Sequence, residues 1–185
     1  LHSVRNMGIL AFFGLKKYNT SIYELYGQIV AQARQEPFYT RLGVPDTVNG
    51  RFDLISLHIY IVMRRLKDLG EEGGKLSQDL FDVMFADMDK NMREMGIGDL
   101  RVGKKIKALA TAFYGRIKAY DEGIDGHEGA SLTEALKRNL YLETDPTEQQ
   151  VQKVADYVMQ EISNSEHWSL ANLQQPEISF GNIPE

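Results

Sequence analysis

The 185 residues include no cysteine. That excludes disulfides and thiolate metal centres, and it is compatible with a reducing compartment. No apolar run approaches the ~20 residues that a membrane-crossing helix requires. No stretch alternates apolar and polar residues as a half-buried strand does, and no segment repeats. Histidine is scarce: His2, His58, His127 and His167 are scattered, and none stands at metal-ligand spacing to another. No serine lies in a nucleophile-elbow pattern, so nothing in the chain points to an enzyme. The net charge is −5, so the molecule as a whole is not a generic polyanion binder. With 43% hydrophobic residues, the chain can bury a core in one domain.

Helical spacing dominates the pattern, and the fold class read from it is all-α: a single compact domain of about six helices. Residues 1–18 are an N-terminal segment. Met7 offers an internal start, and the apolar stretch 9–15 is followed by Lys16 and Lys17. A signal peptide would carry its charges first; this order suits a membrane surface, with the lysines at the headgroups, or docking on the core. The helical domain spans 19–163. Ser21 and Glu24 form a capping-box pattern for a first helix to about Gln35. Asp53 is the expected N-cap of a second helix to about Leu69, apolar nearly all round and hence central. A third helix runs from about Leu76 to Met95, and a fourth from Asp99 or Leu100 to about Tyr120. Asp121 to Ala130 reads as a loop. Ser131 opens a helix to about Leu142, and Pro146-Thr147 opens a last one to about Ser163. Residues 164–185, with Pro176 and Pro184, read as an extended or disordered tail.

Between the first two helices, Pro37 to Asp53 reads as a long loop that retains Phe38, Tyr39 and Phe52. Loops of that length are usually functional or disordered, and three aromatics argue for order. The expectation is a wall of a pocket or docking surface.

Two motifs resemble catalytic or metal sites and fail on their parts. Gly98-Asp-Leu-Arg-Val-Gly103-Lys104-Lys105 lacks the Ser or Thr and the preceding strand of a phosphate-binding loop. Asp121 to Gly126 starts like a calcium loop, but Gly123 and Leu132 stand where ligands belong. No cofactor and no metal is expected. His58, on the central helix, is expected as a core histidine with a hydrogen-bond partner.

Two surfaces are candidates for binding. On the third helix Leu80, Phe81, Met84, Phe85, Met88, Met92 and Met95 fall within an arc of about 140°. Most of this stripe is expected to face the core, and the methionines at its edge are left for a soft apolar contact. Asp87 flanks it and needs a partner, with Arg64 or Arg65 suitable by type. The fourth helix presents Arg101, Lys104, Lys105, Lys107, Arg116 and Lys118, mostly towards solvent. Without interleaved aromatics, specific nucleic-acid recognition is not expected there. Ribosomal RNA, an anionic membrane surface or an acidic protein would each suit it.

Phe38-Tyr39, Gly43-Val44-Pro45-Asp46-Thr47, Phe52 to His58, Met95-Gly96, Phe113-Tyr114 and Tyr120-Asp121-Glu122-Gly123-Ile124, in that order and spacing, resemble the ubiquinol–cytochrome c chaperone family over roughly residues 23–163. The resemblance implies a non-enzymatic assembly factor for respiratory complex III that binds newly made cytochrome b near the ribosome, with a small partner subunit in mitochondria. No long transit segment is evident, so the chain looks like a bacterial relative at the cytoplasmic face of the inner membrane, the matrix side for eukaryotic relatives. No catalytic residue is carried over. The expected client groove comprises Phe38, Tyr39, Val44, Phe52, Met84, Phe85, Met88, Met92, Tyr114 and Tyr120, with Asp46, His58, Arg64 and Asp87 as polar supports. The alternative is a ribosome- or membrane-surface adaptor working through Arg101, Lys104, Lys105 and Lys107.

Overall fold

The computed structural model describes residues 20–185; the expectations for residues 1–18 lie outside the described residues. Among the described residues the chain forms helices and no strand. These are α1 (Thr20–Ala33), α2 (Pro37–Thr40), α3 (Val48–Lys67), α4 (Gly70–Glu94), α5 (Asp99–Ile124), α6 (Leu132–Asn139), α7 (Glu148–Ser165) and α8 (Leu170–Gln174). The all-α architecture is as the periodicity implies. Two of the helices, α2 and α8, are too short to leave a periodic signature.

α3 is the axis of the molecule, with every residue from Phe52 to Val62 buried. It packs against α1, α4 and α7, while α5 packs on α4 and α6, and α6 on α7. Its start corrects the sequence reading. Thr47, in an extended conformation, caps the helix by accepting the Gly50 N–H at 3.0 Å. Asp53 therefore lies more than a turn inside the helix. An Asp ahead of an apolar run fits both an N-cap and a buried ion pair, and only packing separates the two.

The long loop shrinks accordingly, since α2 occupies its first part. The remaining turn is held against the C-terminal half of the chain: Tyr141 Oη donates to Leu42 C=O at 2.8 Å, and Gln150 Nε2 to Arg41 C=O at 3.0 Å. Gly50 permits the close return of this turn, because a Cβ there would stand 2.1 Å from the Pro45 carbonyl oxygen.

Three further boundaries differ. α1 begins at Thr20, so Ser21 is inside the helix rather than at its cap. The Gly70-Glu-Glu-Gly-Gly run is the first turn of α4, not a break. Glu71 and Glu72 there favour the positive end of the helix dipole, and Gly73 passes the Leu66 carbonyl where a Cβ would meet it at 2.2 Å. α5 continues to Ile124, into the first part of the expected loop.

Residues after Asn164 are not a free tail. Phe180 packs edge-on against His58 at 5.5 Å and against Trp168 at 5.5 Å between ring centroids. The Gly181 N–H donates to buried Glu161 Oε1 at 2.9 Å, and Gln28 Nε2 donates to Pro176 C=O at 2.7 Å. Beyond Pro176 the chain forms neither helix nor strand, and it covers the core in that form.

Candidate interaction surface

The groove expected from the sequence divides when its residues are placed. Phe38, Val44, Phe52, Met84, Phe85, Met92 and Tyr120 are buried in the core. Phe85 packs at 6.4 Å from Phe52 and 6.1 Å from Phe113. Phe38, Met84 and Tyr120 have no exposed surface and can touch a client only if the core opens, whereas Phe52 and Met92 keep a small exposed edge. The buried candidates on α4 and α5 are apolar because each of these helices buries one face. Tyr39, Met88 and Tyr114 retain exposed surface.

These three do not share one site. Tyr114 stacks on Phe81 at 5.4 Å and lines a hollow with Tyr60, Met63, Arg64 and Ile117. Tyr39 donates its hydroxyl to Ala33 C=O at 2.7 Å and faces a polar hollow with Arg34, Asp46 and Arg51. Met88 and the edge of Met92 line a groove of about 240 Å³ between the start of α3 and the end of α4. Val48 and Met95 stand at its mouth, 61% and 56% exposed. Phe52 and Ile55 form its floor, and Arg34, Arg51, Asp87 and Asn91 its rim. Arg34 and Arg51 border both this groove and the Tyr39 hollow, so the two adjoin. The sequence pattern does not single out Val48, because it falls in what reads as a loop. Met95 is the last methionine of the stripe, and its exposure follows from the helix ending there.

The polar candidates hold elements together. Asp46 pairs with Arg51 at 2.7 Å on the surface. Asp87 accepts from Tyr26 Oη at 2.8 Å, which corrects the expected pairing with Arg64 or Arg65. Burial, reinforced by the Asp87 charge and hydrogen bond, pushes the Tyr26 hydroxyl far up, so Tyr26 stays protonated as a donor. Arg64 instead bridges Asp121 at 2.5 Å and Asp125 at 2.6 Å. Its hydrogen bond to Asp125 holds that carboxyl below the usual range. Asp121 also accepts from Tyr60 Oη at 2.7 Å. The acids that resembled a calcium loop are thus engaged by one arginine. Arg65 donates to Trp168 C=O at 2.9 Å.

Two buried arrangements are invisible to sequence spacing. Arg116 Nη2 pairs with Asp53 Oδ1 at 2.7 Å, with both side chains nearly buried and the guanidinium 5.7 Å from the Phe52 ring. Burial raises the Asp53 carboxyl to about 6 against the opposing pull of Arg116. His58 donates from Nδ1 to Leu54 C=O at 2.8 Å, and its Nε2 lies 3.0 Å from Tyr157 Oη. A carbonyl only accepts, which puts the proton on Nδ1 and makes Nε2 the acceptor. Burial holds this imidazole down at about 4, so it is neutral.

On α5, Arg101, Lys104, Lys105 and Lys107 are all exposed. Arg116, counted with them in the sequence, turns inward. Among the described residues no group of histidine and carboxylate side chains is arranged to hold a metal ion, and no helix is long and apolar enough to cross a membrane.

Comparison with known proteins agrees with this architecture. The chain is 35% identical to the protein in a solved structure described as the Cbp3 homolog from Brucella abortus; the two superpose with a TM-score of 0.76, covering 88% of this chain and 90% of that one. It is 25% identical over 158 residues to ubiquinol-cytochrome-c reductase complex assembly factor 1 of Xenopus laevis, covering 83% of this chain and 78% of that protein. The Mus musculus and Homo sapiens proteins of that name are each 27% identical over 160 residues. This chain spans about half their length, 53% and 52%. Residues 40–183 match the family described as ubiquinol-cytochrome C chaperone. With most of its length matched and its helical fold shared, the chain belongs to the ubiquinol–cytochrome c chaperone family.

Proposed function

We propose that this chain is an assembly chaperone for respiratory complex III that holds apolar segments of newly made cytochrome b in the groove between α3 and α4. The family and the names of its curated relatives support the coarser part, assistance in assembling a ubiquinol–cytochrome c reductase. The finer part rests on one observation: Val48 and Met95 stand exposed beside Met88 over an apolar floor of Phe52 and Ile55. Exposed apolar groups clustered inside a polar rim mark interaction sites. Methionine and valine side chains can cover varied apolar sequences, because the thioether is flexible and polarizable. A client helix would lay its apolar face on the groove, and the rim charges would exclude it from the rest of the surface.

The test uses residues that folding does not need. Val48→Asp and Met95→Asp place a charge in the groove at solvent-exposed positions, so the helical circular dichroism and the unfolding midpoint should remain close to wild type. Photo-crosslinking from position 88 in cells making cytochrome b should capture that protein with the wild type, and capture should fall at least tenfold with either variant. Undiminished capture by both variants sinks the groove. Phe85→Asp is no substitute, since it places a charge in the core and should abolish folding.

A further inference from the structure

From Leu100 to Ala119, α5 carries no carboxylate, although the chain is net negative by 5. Several cations elsewhere sit in ion pairs: Arg51 with Asp46, Lys75 with Glu71 and Glu72, Arg93 with Asp89 and Asp99, and Lys137 with Glu134 and Glu148. The exposed Arg34, Arg41, Lys67 and Arg138 have none among the described residues, but they are scattered over different elements. Arg101, Lys104, Lys105 and Lys107 have none among the described residues, and only Lys118 has a loose one, Glu122 at 3.8 Å.

The cations share their face with apolar groups. At 100° per residue, Leu100, Lys104, Lys107, Thr111, Tyr114 and Lys118 fall within an arc of about 80°, and all six are exposed. Leu100 is 88% exposed and Tyr114 54%. They lie about 21 Å apart along the helix, with lysines between them. Gly115 and Ala108, both exposed, keep one edge of this face low, so a flat surface could approach the backbone closely along that edge.

We propose that this face of α5 rests on an anionic lipid surface, with the lysines among the phosphates and Leu100 and Tyr114 reaching into the boundary below them. Attachment to a membrane surface gains from buried apolar area and from attraction of basic side chains to anionic lipid together. Tyrosine suits that depth, because one end of its ring is apolar and the other wet. RNA would reward the cations equally but gains nothing from Leu100, and an RNA-binding strip would be expected to interleave stacking aromatics. The proposal stands independently of the client groove.

Sedimentation of the full chain with vesicles tests it. Binding to mixed phosphatidylcholine–phosphatidylglycerol vesicles, and not to phosphatidylcholine alone, is expected, weakening as salt shortens the screening length. Lys104→Gln with Lys107→Gln should weaken binding about 25-fold, about fivefold for each cation removed. Leu100→Ser should weaken it about tenfold through lost apolar burial. Lys75→Gln, on a paired lysine elsewhere, should change nothing. Three results overturn the proposal. One is no sedimentation with the anionic vesicles. Another is wild-type binding by both α5 variants, which would assign attachment to residues 1–18. The third is binding to a structured RNA in preference to vesicles, lost in the double lysine variant and indifferent to Leu100→Ser.

Discussion

Acidification should unlock the C-terminal cover of the core through His58. The ring is fully buried, hydrogen-bonded at both nitrogens and enclosed by Phe38 at 5.3 Å, Tyr157 at 5.7 Å and Phe180 at 5.5 Å. Burial lowers its pKa to about 4, against about 6.5 in an unfolded chain. Between those values the unfolded state holds the extra proton, so stability is complete above pH 6.5 and is lost as pH falls towards 4. At about 1.4 kcal/mol per pKa unit, the loss reaches about 3 kcal/mol. That is a large share of the roughly 5–15 kcal/mol that holds a typical domain folded. Two buried carboxyls act with the opposite sign: Asp53, raised to about 6 by burial, and Glu161, also raised by burial. Each stabilises the native state as it takes up its proton, so the wild-type slope is a net value. His58→Gln keeps an acceptor for Tyr157 and removes the titration. Urea unfolding between about pH 7 and pH 4 can be followed by Trp168, the single tryptophan, which packs on Phe180. Over that range wild type should lose about 3 kcal/mol more than His58→Gln. Parallel stability profiles for the two proteins would show that His58 does not set the acid response. Amide exchange should show residues 176–185 opening first on acidification, because Phe180 covers the ring.

Arg116→Met leaves the Asp53 carboxylate buried without its partner and should cost about 3–5 kcal/mol in urea unfolding at neutral pH. Adding Asp53→Asn should recover most of that loss, and failure to do so would show that the guanidinium acts by packing on Phe52. Gly50→Ala should destabilise by about 1–3 kcal/mol or more, because the Pro45 carbonyl cannot retreat from a Cβ built 2.1 Å away. Gly115→Ala, within α5 and with nothing inside 4 Å of its Cβ position, should instead stabilise by roughly 0.5–1 kcal/mol. Matching effects of the two alanines on the midpoint of thermal unfolding would contradict both assignments.

The helices were legible wherever local chemistry carries the signal. The periodicity of α1, α3, α4, α5 and α7 appears in the order of apolar residues, and the Ser131 cap that starts α6 is readable from Glu134 three residues on. Boundaries failed where one residue type serves two purposes. Asp53 looks like a cap because carboxylates favour helix starts, yet it is an ion-pair partner of a residue 63 positions away. The glycines at 70, 73 and 74 look like a break, yet the corner between α3 and α4 needs Gly73 for its close approach to Leu66.

The site was legible only in part, for a related reason. An amphipathic stripe reports that a face is buried but not against what, so Met84 and Met88 look alike in sequence. Packing covers the first completely and leaves the second at a groove edge. By itself the sequence determined the helical class, the central place of α3, the family and the acid-free basic run of α5, since each depends on near neighbours or on composition. Tertiary structure alone decided which apolar side chains remain outside. It also decided that Arg116 leaves the basic face for Asp53, and that the last ten residues close over His58. Those outcomes are set by which faces meet, and contacts between residues far apart in the chain leave no periodic trace in it.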